Sequence, residues 1–379
     1  MNRLKTLLVI LSLVSYLRVD AQEDSGLQLG TAPTDGGLQM EDYWVWGSSV
    51  VKGKDGQYHM YASRWPKFLP FHPGWMIRSE IVHAVSDTPE GPYRFSDVAL
   101  GYRGAQYWDG RSCHNPKIVK HAGKYLLYYM GSTHPFEEVT PDNVADFDLR
   151  SKWCIAGRWR KRVGLAIADS PYGPWERLDE PILDVKPDSF YSFLTSNPSP
   201  LIKEDGSVVL LFKGRSYRED EITHTGQYIG VATAPAYDGA YTVVGDEPVF
   251  SSDKFGEVED PHLWSDEQGF HMIAKDMTGD IIGDGNHHGG VLAHSEDGIH
   301  WVLDDNPLAY TRTVTWDNGQ TIEQGQLERP FVFVEDGQPT HIFFATMDGP
   351  GGFGNGTKTW NMVIPVVNDK EDLKSNKQR

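Results

Sequence analysis

The chain has 379 residues, with 35 Lys and Arg against 53 Asp and Glu for a formal net charge of -18, and it is 39% hydrophobic and 23% charged. That balance argues against nucleic acid or an anionic membrane as the main partner, because either would need a basic face. The composition is that of a folded globular chain of one to three domains, and two cysteines rule out a disulfide scaffold or a four-thiolate zinc site.

In chain order, residues 1–21 read as a secretory signal peptide. Arg3 and Lys5 precede an apolar run from Leu7 to Val14, and Val19-Asp20-Ala21 has the small and apolar residues of a cleavage site after Ala21. The run is too short to span a bilayer, which takes about 20 apolar residues. The expectation is a secreted or periplasmic protein without membrane insertion. Residues 22–40 are expected to form an N-terminal extension. In an oxidising compartment Cys113 and Cys154 would have the opportunity to pair.

From residue 41 to 367 one pattern recurs five times. An apolar strand is followed by a turn glycine and a second strand rich in aromatic and aliphatic residues. The first strands carry Gly47-Ser48, Asn115-Pro116, Asn197-Pro198, Asp260-Pro261 and Arg329-Pro330, and their turn glycines are Gly56, Gly123, Gly206, Gly269 and Gly337. The separation is eight or nine residues every time. A third strand recurs at Ile81–Ser86, Val163–Ala168, Ile229–Thr233 and Val291–Ser295, followed by Gly91-Pro92-Tyr93, Gly173-Pro174-Trp175, Gly239-Ala240-Tyr241 and Gly298 with Trp301. Those turns open a fourth, outer strand. The expected fold is all-β: a five-bladed β-propeller of four-stranded antiparallel blades around a central channel, with long connections clustered on one face. Residues 368–379 are a charged C-terminal tail.

First strands line the channel of a propeller, so their entrances converge although they are far apart in sequence. They contribute Asp42, Trp46, His114, Asn115, Asn197, Glu259, Asp260, His262, Glu328 and Arg329. Lys213-Gly214-Arg215 closes a second strand, and Arg215 is read as reaching the same funnel. The expectation is an acidic pocket with aromatic walls, suited to an oligo- or polysaccharide: sugars stack on aromatic rings, and glycosidic cleavage needs two carboxyl groups.

These repeats resemble the five-bladed glycoside hydrolases of family 43 and relatives, including family 117. The likeness lies in the Asn-Pro and Asp-Pro first strands, Gly123-Lys124-Tyr125-Leu126-Leu127-Tyr128-Tyr129, and Ala168-Asp169-Ser170 followed by Gly173-Pro174-Trp175. It covers roughly residues 41–366. The resemblance implies a general acid at Glu259, in Glu259-Asp260-Pro261-His262. Neighbouring strand residues face opposite ways, so Asp260 is the candidate if only one of the two faces the funnel. The family's general base stands in an Asp-Pro pair at blade one, where this chain has Gly47-Ser48; the nearest substitute is Asp42. Glu328 is read as the base or as a holder of a sugar hydroxyl. His262 and His288 are alternates, because family 117 is able to use His as general acid.

The expectation is thus a secreted glycoside hydrolase, exo-acting because a deep funnel takes one chain end and inverting by the resemblance, that cleaves terminal sugars from a plant or algal polysaccharide or its oligosaccharides. A non-catalytic carbohydrate-binding propeller and a glycoside phosphorylase are the alternatives. No cofactor is expected, although related propellers sometimes hold a calcium ion in the channel. Residues 279–284 lack the ligand spacing of a calcium loop.

Overall fold

The structure is a computed structural model that describes residues 27–283 and 288–367. The expected signal peptide and the charged tail lie outside the described residues. Five four-stranded antiparallel sheets form the five blades.

Blade one comprises Tyr43–Lys52, Tyr58–Pro66, Glu80–Ser86 and Arg94–Leu100. Blade two comprises Ser112–His121, Lys124–Ser132, Arg162–Ala168 and Glu176–Arg177. Blade three comprises Leu194–Ile202, Val208–Arg215, Tyr228–Ala234 and Thr242–Val243. Blade four comprises Val258–Asp266, Gly269–Asp276, Gly290–Ser295 and Val302–Tyr310. Blade five takes Gln326–Glu335, Gln338–Met347 and Thr359–Pro365 from the C-terminal part and its outer strand, Leu38–Gln39, from the N-terminal part. Leu38 pairs with Asn361, and Gln39 with Trp360. Residues expected as an extension therefore close the ring.

The second strands read as unbroken apolar runs because both of their faces are buried. In blade two, Leu126 and Tyr128 pack towards Leu210 and Phe212 of blade three. Tyr125, Leu127 and Tyr129 pack towards Tyr61 and Ile81 of blade one. Equivalent cores join blades three and four, four and five, and five and one. Full burial of each such side chain contributes about 1.5–3 kcal/mol, so the ring is held by five inter-blade cores.

Two helices depart from the blade pattern, each in the connection between second and third strands. A short helix α1 (Phe71–Arg78), kinked at His72 and Pro73, belongs to blade one. Helix α2 (Lys152–Trp159) belongs to blade two, and Ser151 Oγ caps its start by accepting from the Cys154 amide. The helices touch each other and enclose a further core of Trp46, Trp65, Phe71, Met76, Trp153 and Cys154. Cys154 and Cys113 are both buried free thiols, so the pairing that the compartment would permit is not made. Among the described residues no helix is long and apolar enough to cross a membrane.

Candidate active site

Each first strand carries a β-bulge where it enters the channel. The register shifts lie between Trp46 and Ser48, His114 and Lys117, Ser196 and Ser199, Glu259 and His262, and Glu328 and Phe331. At the bulge the backbone is left-handed, with φ of 43° at Gly47, 53° at Asn115, 48° at Asn197, 61° at Asp260 and 57° at Arg329. Gly, Asn and Asp tolerate that region best, which accounts for four of the five positions. A bulge also suspends strict alternation, so consecutive residues both turn to the channel, at different depths.

The bulge residues form the floor. Asn115 Nδ2 donates to Asn197 Oδ1 at 2.9 Å, and Asn197 Nδ2 donates to Asp260 Oδ1 at 2.5 Å. Arg329 Nη1 donates to the same Asp260 oxygen. Gly47 completes the ring without a side chain. A Cβ there would lie 3.3 Å from Asn115 Oδ1 and 3.4 Å from Arg329 Cγ, on a backbone that disfavours one. The Arg329 side chain thus lies against the blade-one position that carries no side chain.

Above this floor is a cavity of about 480 Å³. Trp46, His114, Arg215, Glu259, His288, Glu328 and Arg329, all singled out in the sequence, line it. Asn115, Asn197 and Asp260 lie beneath it and are almost wholly buried. Asp42 is in an exposed turn outside it, its carbonyl accepting from the Lys67 amide. His262 lies beyond the bulge, at the opposite mouth of the channel beside Lys117, with Nε2 3.1 Å from the Val332 carbonyl. Neither joins the two glutamates.

Both cavity carboxylates are met by a lysine from the preceding blade. Lys213 Nζ donates to Glu259 Oε1 at 2.5 Å, and Lys275 Nζ donates to Glu328 Oε1. The lysines occupy equivalent places, paired across the sheet with Ser196 and Glu259. Burial works to raise the Glu259 carboxyl, but Lys213, Arg329 and Lys275 together hold it well below the usual range. Burial pushes the Glu328 carboxyl up against the pull of Lys275, and neighbouring Glu259 pushes the same way. Burial also draws the Lys213 ammonium down to about 8. His114 is kept neutral by burial and by Arg329, and its Nδ1 is 2.8 Å from Ser79 Oγ.

Among the described residues the cavity is not the acidic funnel expected from the first strands: six basic residues, Arg158, Lys161, Lys213, Arg215, Lys275 and Arg329, line it against two carboxylates. The reason is positional: five of the six stand on second strands or on the connections that follow them. A signal for two of them was present in the sequence, since Lys213 and Lys275 follow apolar runs, Leu-Leu-Phe and Met-Ile-Ala. Lys161 and Arg158 had none, because they come from an insertion outside the repeat. In the channel Arg329 pairs with the Asp260 carboxylate. Among the described residues no three His, Cys, Asp or Glu side chains are placed to hold a metal ion.

The aromatic wall belongs to blades one and two. Trp46 packs on Phe71 at 4.8 Å between ring centroids, and Trp75 stacks on His114 at 4.8 Å. At the rim Phe353, 48% exposed, lies 5.1 Å from Phe71.

The chain matches no protein-family model and no curated protein. Solved structures share its fold. A family 117 glycoside hydrolase of the marine bacterium Zobellia galactanivorans has a TM-score of 0.61 at 17% identity, over 93% of this chain and 96% of that one. A thermostable family-43 glycoside hydrolase has a TM-score of 0.58 at 13% identity, over 90% and 94% of the two chains. An endo-arabinase from Bacteroides thetaiotaomicron has a TM-score of 0.54 at 14% identity, over 90% and 98%. At these identities the likeness is one of fold.

Proposed function

We propose that this propeller is an exported glycoside hydrolase that removes a terminal sugar, with Glu328 as general acid and Glu259 as general base. The observation that carries the reading is a pair of carboxyl groups in one cavity whose surroundings bias them in opposite directions. Such a pair divides acid and base work. Glu259, held ionised by three cations, takes a proton from water as its oxygen attacks the anomeric carbon. Glu328 gives its proton to the glycosidic oxygen as the C–O bond breaks. The electrostatics thus reverse the roles implied by the family resemblance. The hydrogen-bonded floor from Asn115 to Arg329 supports a blind pocket that takes one chain end, and direct attack by water implies inversion.

The test is turnover of an oligosaccharide panel with the product anomer followed by NMR. Release of one sugar from the chain end with inverted configuration is expected. Internal cleavage, or no turnover of any glycan, would overturn the reading.

A further inference from the structure

Of the six basic residues around the cavity, three have a carboxylate: Lys213 has Glu259, Lys275 has Glu328 and Arg329 has Asp260. Arg158, Lys161 and Arg215 form no ion pair among the described residues. Lys161 is the telling one. It stands between helix α2 and the third strand of blade two, is only 4% exposed, and lines the cavity. Its ammonium lies 4.0 Å above the centre of the Trp75 ring, and it forms no ion pair among the described residues. Trp75 is itself braced by His114, so the lysine is held in one place. Arg215 is also fixed: its Nη1 donates to the Thr225 carbonyl at 3.0 Å and lies 3.0 Å from His224 Nδ1.

Gathering cations that have no ion-pair partner among the described residues in a buried pocket is costly. Burial, together with Lys213 and Arg158, pulls the Lys161 ammonium well below the usual lysine range. An anion from outside removes that penalty, since charge-assisted hydrogen bonds to an oxyanion are among the strongest available. The cluster also runs against the net charge of -18 on the whole chain, so it is no part of a general basic surface.

Resting on the hydrolase reading, we propose that Lys161, Arg215 and Arg158 form a subsite for an oxyanion carried by the sugar in the cavity, a ring carboxylate or a sulfate ester. The substrate is then an acidic glycan, and the cluster selects it over neutral arabinosyl or xylosyl chains. The subsite adjoins Lys213, which acts on Lys161 and pairs with Glu259, so the anion sits near the base.

The experiment measures binding by calorimetry and sugar release in parallel, for the full chain, Lys161→Met and Lys161→Arg. The ligands are uronate-terminated, sulfated and neutral oligosaccharides of equal length. The expected result is tighter binding of a charged oligosaccharide, weakened about tenfold or more by Lys161→Met, largely retained by Lys161→Arg, and weakened by added salt. Comparison of the uronate and sulfate arms identifies the group. If neutral chains bind as well as charged ones, or Lys161→Met changes neither, the subsite is refuted even though hydrolysis stands. If charged chains bind in a Lys161-dependent way but no sugar is released, the subsite stands and the hydrolase reading falls. Sugar release that requires inorganic phosphate would assign the cluster to a co-substrate and overturn the proposal.

Discussion

Before the bulge, at the bulge, and opposite on the second strand, blade one carries Trp46, Gly47 and Ser63, whereas blade four carries Glu259, Asp260 and Lys275. The backbone is the same in both, with a shifted register and a left-handed residue. The chemistry is opposite. Blade one supplies an apolar wall, extended by Phe71 and Trp75 from helix α1, and it leaves its floor position empty. Blade four supplies a cavity carboxylate, a buried floor carboxylate and a cation. The difference teaches that the fold fixes where side chains enter the channel and leaves each blade free to choose what enters. A reactive side at blades four and five then faces a holding side at blades one and two.

The widest break in that comparison comes from Glu328→Gln and Glu259→Gln. Each is expected to cut kcat by about 10²–10⁴-fold, the usual worth of a positioned acid or base. The two differ in rescue. Aryl glycosides with acidic phenol leaving groups need little protonation, so they restore rate to Glu328→Gln and not to Glu259→Gln. Rescue of Glu259→Gln instead would return the acid role to that residue.

The next break is smaller and electrostatic. In the proposed roles, Glu259 as base acts above its depressed pKa, so its contribution is lost as pH falls through that value. Glu328 as acid acts below its raised pKa, so its contribution is lost as pH rises through it. The rate profile is therefore bell-shaped. Lys213→Met removes the leading cation that holds Glu259 down. The acidic limb of kcat/KM should move to higher pH while the alkaline limb, governed by Glu328, stays nearly in place. A loss of about tenfold at neutral pH accompanies it, in line with one charge-assisted hydrogen bond. If neither limb moves, the ion pair is merely structural.

The sequence discloses the half of this site that repeats. The register from Gly47, Asn115, Asn197, Asp260 and Arg329 to the turn glycines marks every bulge, because a left-handed position and a tight turn restrict residue choice whatever else the blade does. Glu259 and Glu328 are legible as the residues before those positions. What strand periodicity misjudges is depth. Alternation predicts that Glu259 and Asp260 face opposite ways, whereas the bulge sends one into the cavity and the other into the floor. Lys161 escapes the sequence because its place depends on helix α2 packing against helix α1, a contact between insertions that no repeat foreshadows. The pairing of Lys275 with Glu328 crosses a blade boundary, so no spacing within one blade reveals it. The outer strand of blade five was hidden for a related reason, since its residues, Leu38–Gln39, stand at the other end of the described chain.

The smallest expected effect lies on the holding side and sharpens the comparison from there. Trp46 is 2% exposed and packed against Phe71, so little of its ring is free to meet a sugar. Trp75 lies against His114 and carries the Lys161 ammonium. The exposed aromatic at the mouth is Phe353, on the connection between the second and third strands of blade five. A ring contact of this kind contributes about 0.5–1.5 kcal/mol, so Phe353→Ala should raise KM severalfold. Because the ring packs on Trp46, Phe71 and His72, kcat and both limbs of the pH profile should stay unchanged. Phe353 stands in blade five, yet it packs on Phe71 of blade one, and this is where the two sides meet. A fall in kcat on removing it would show that the rim also positions the reacting sugar, and the division between holding and reacting walls would then end at Phe353.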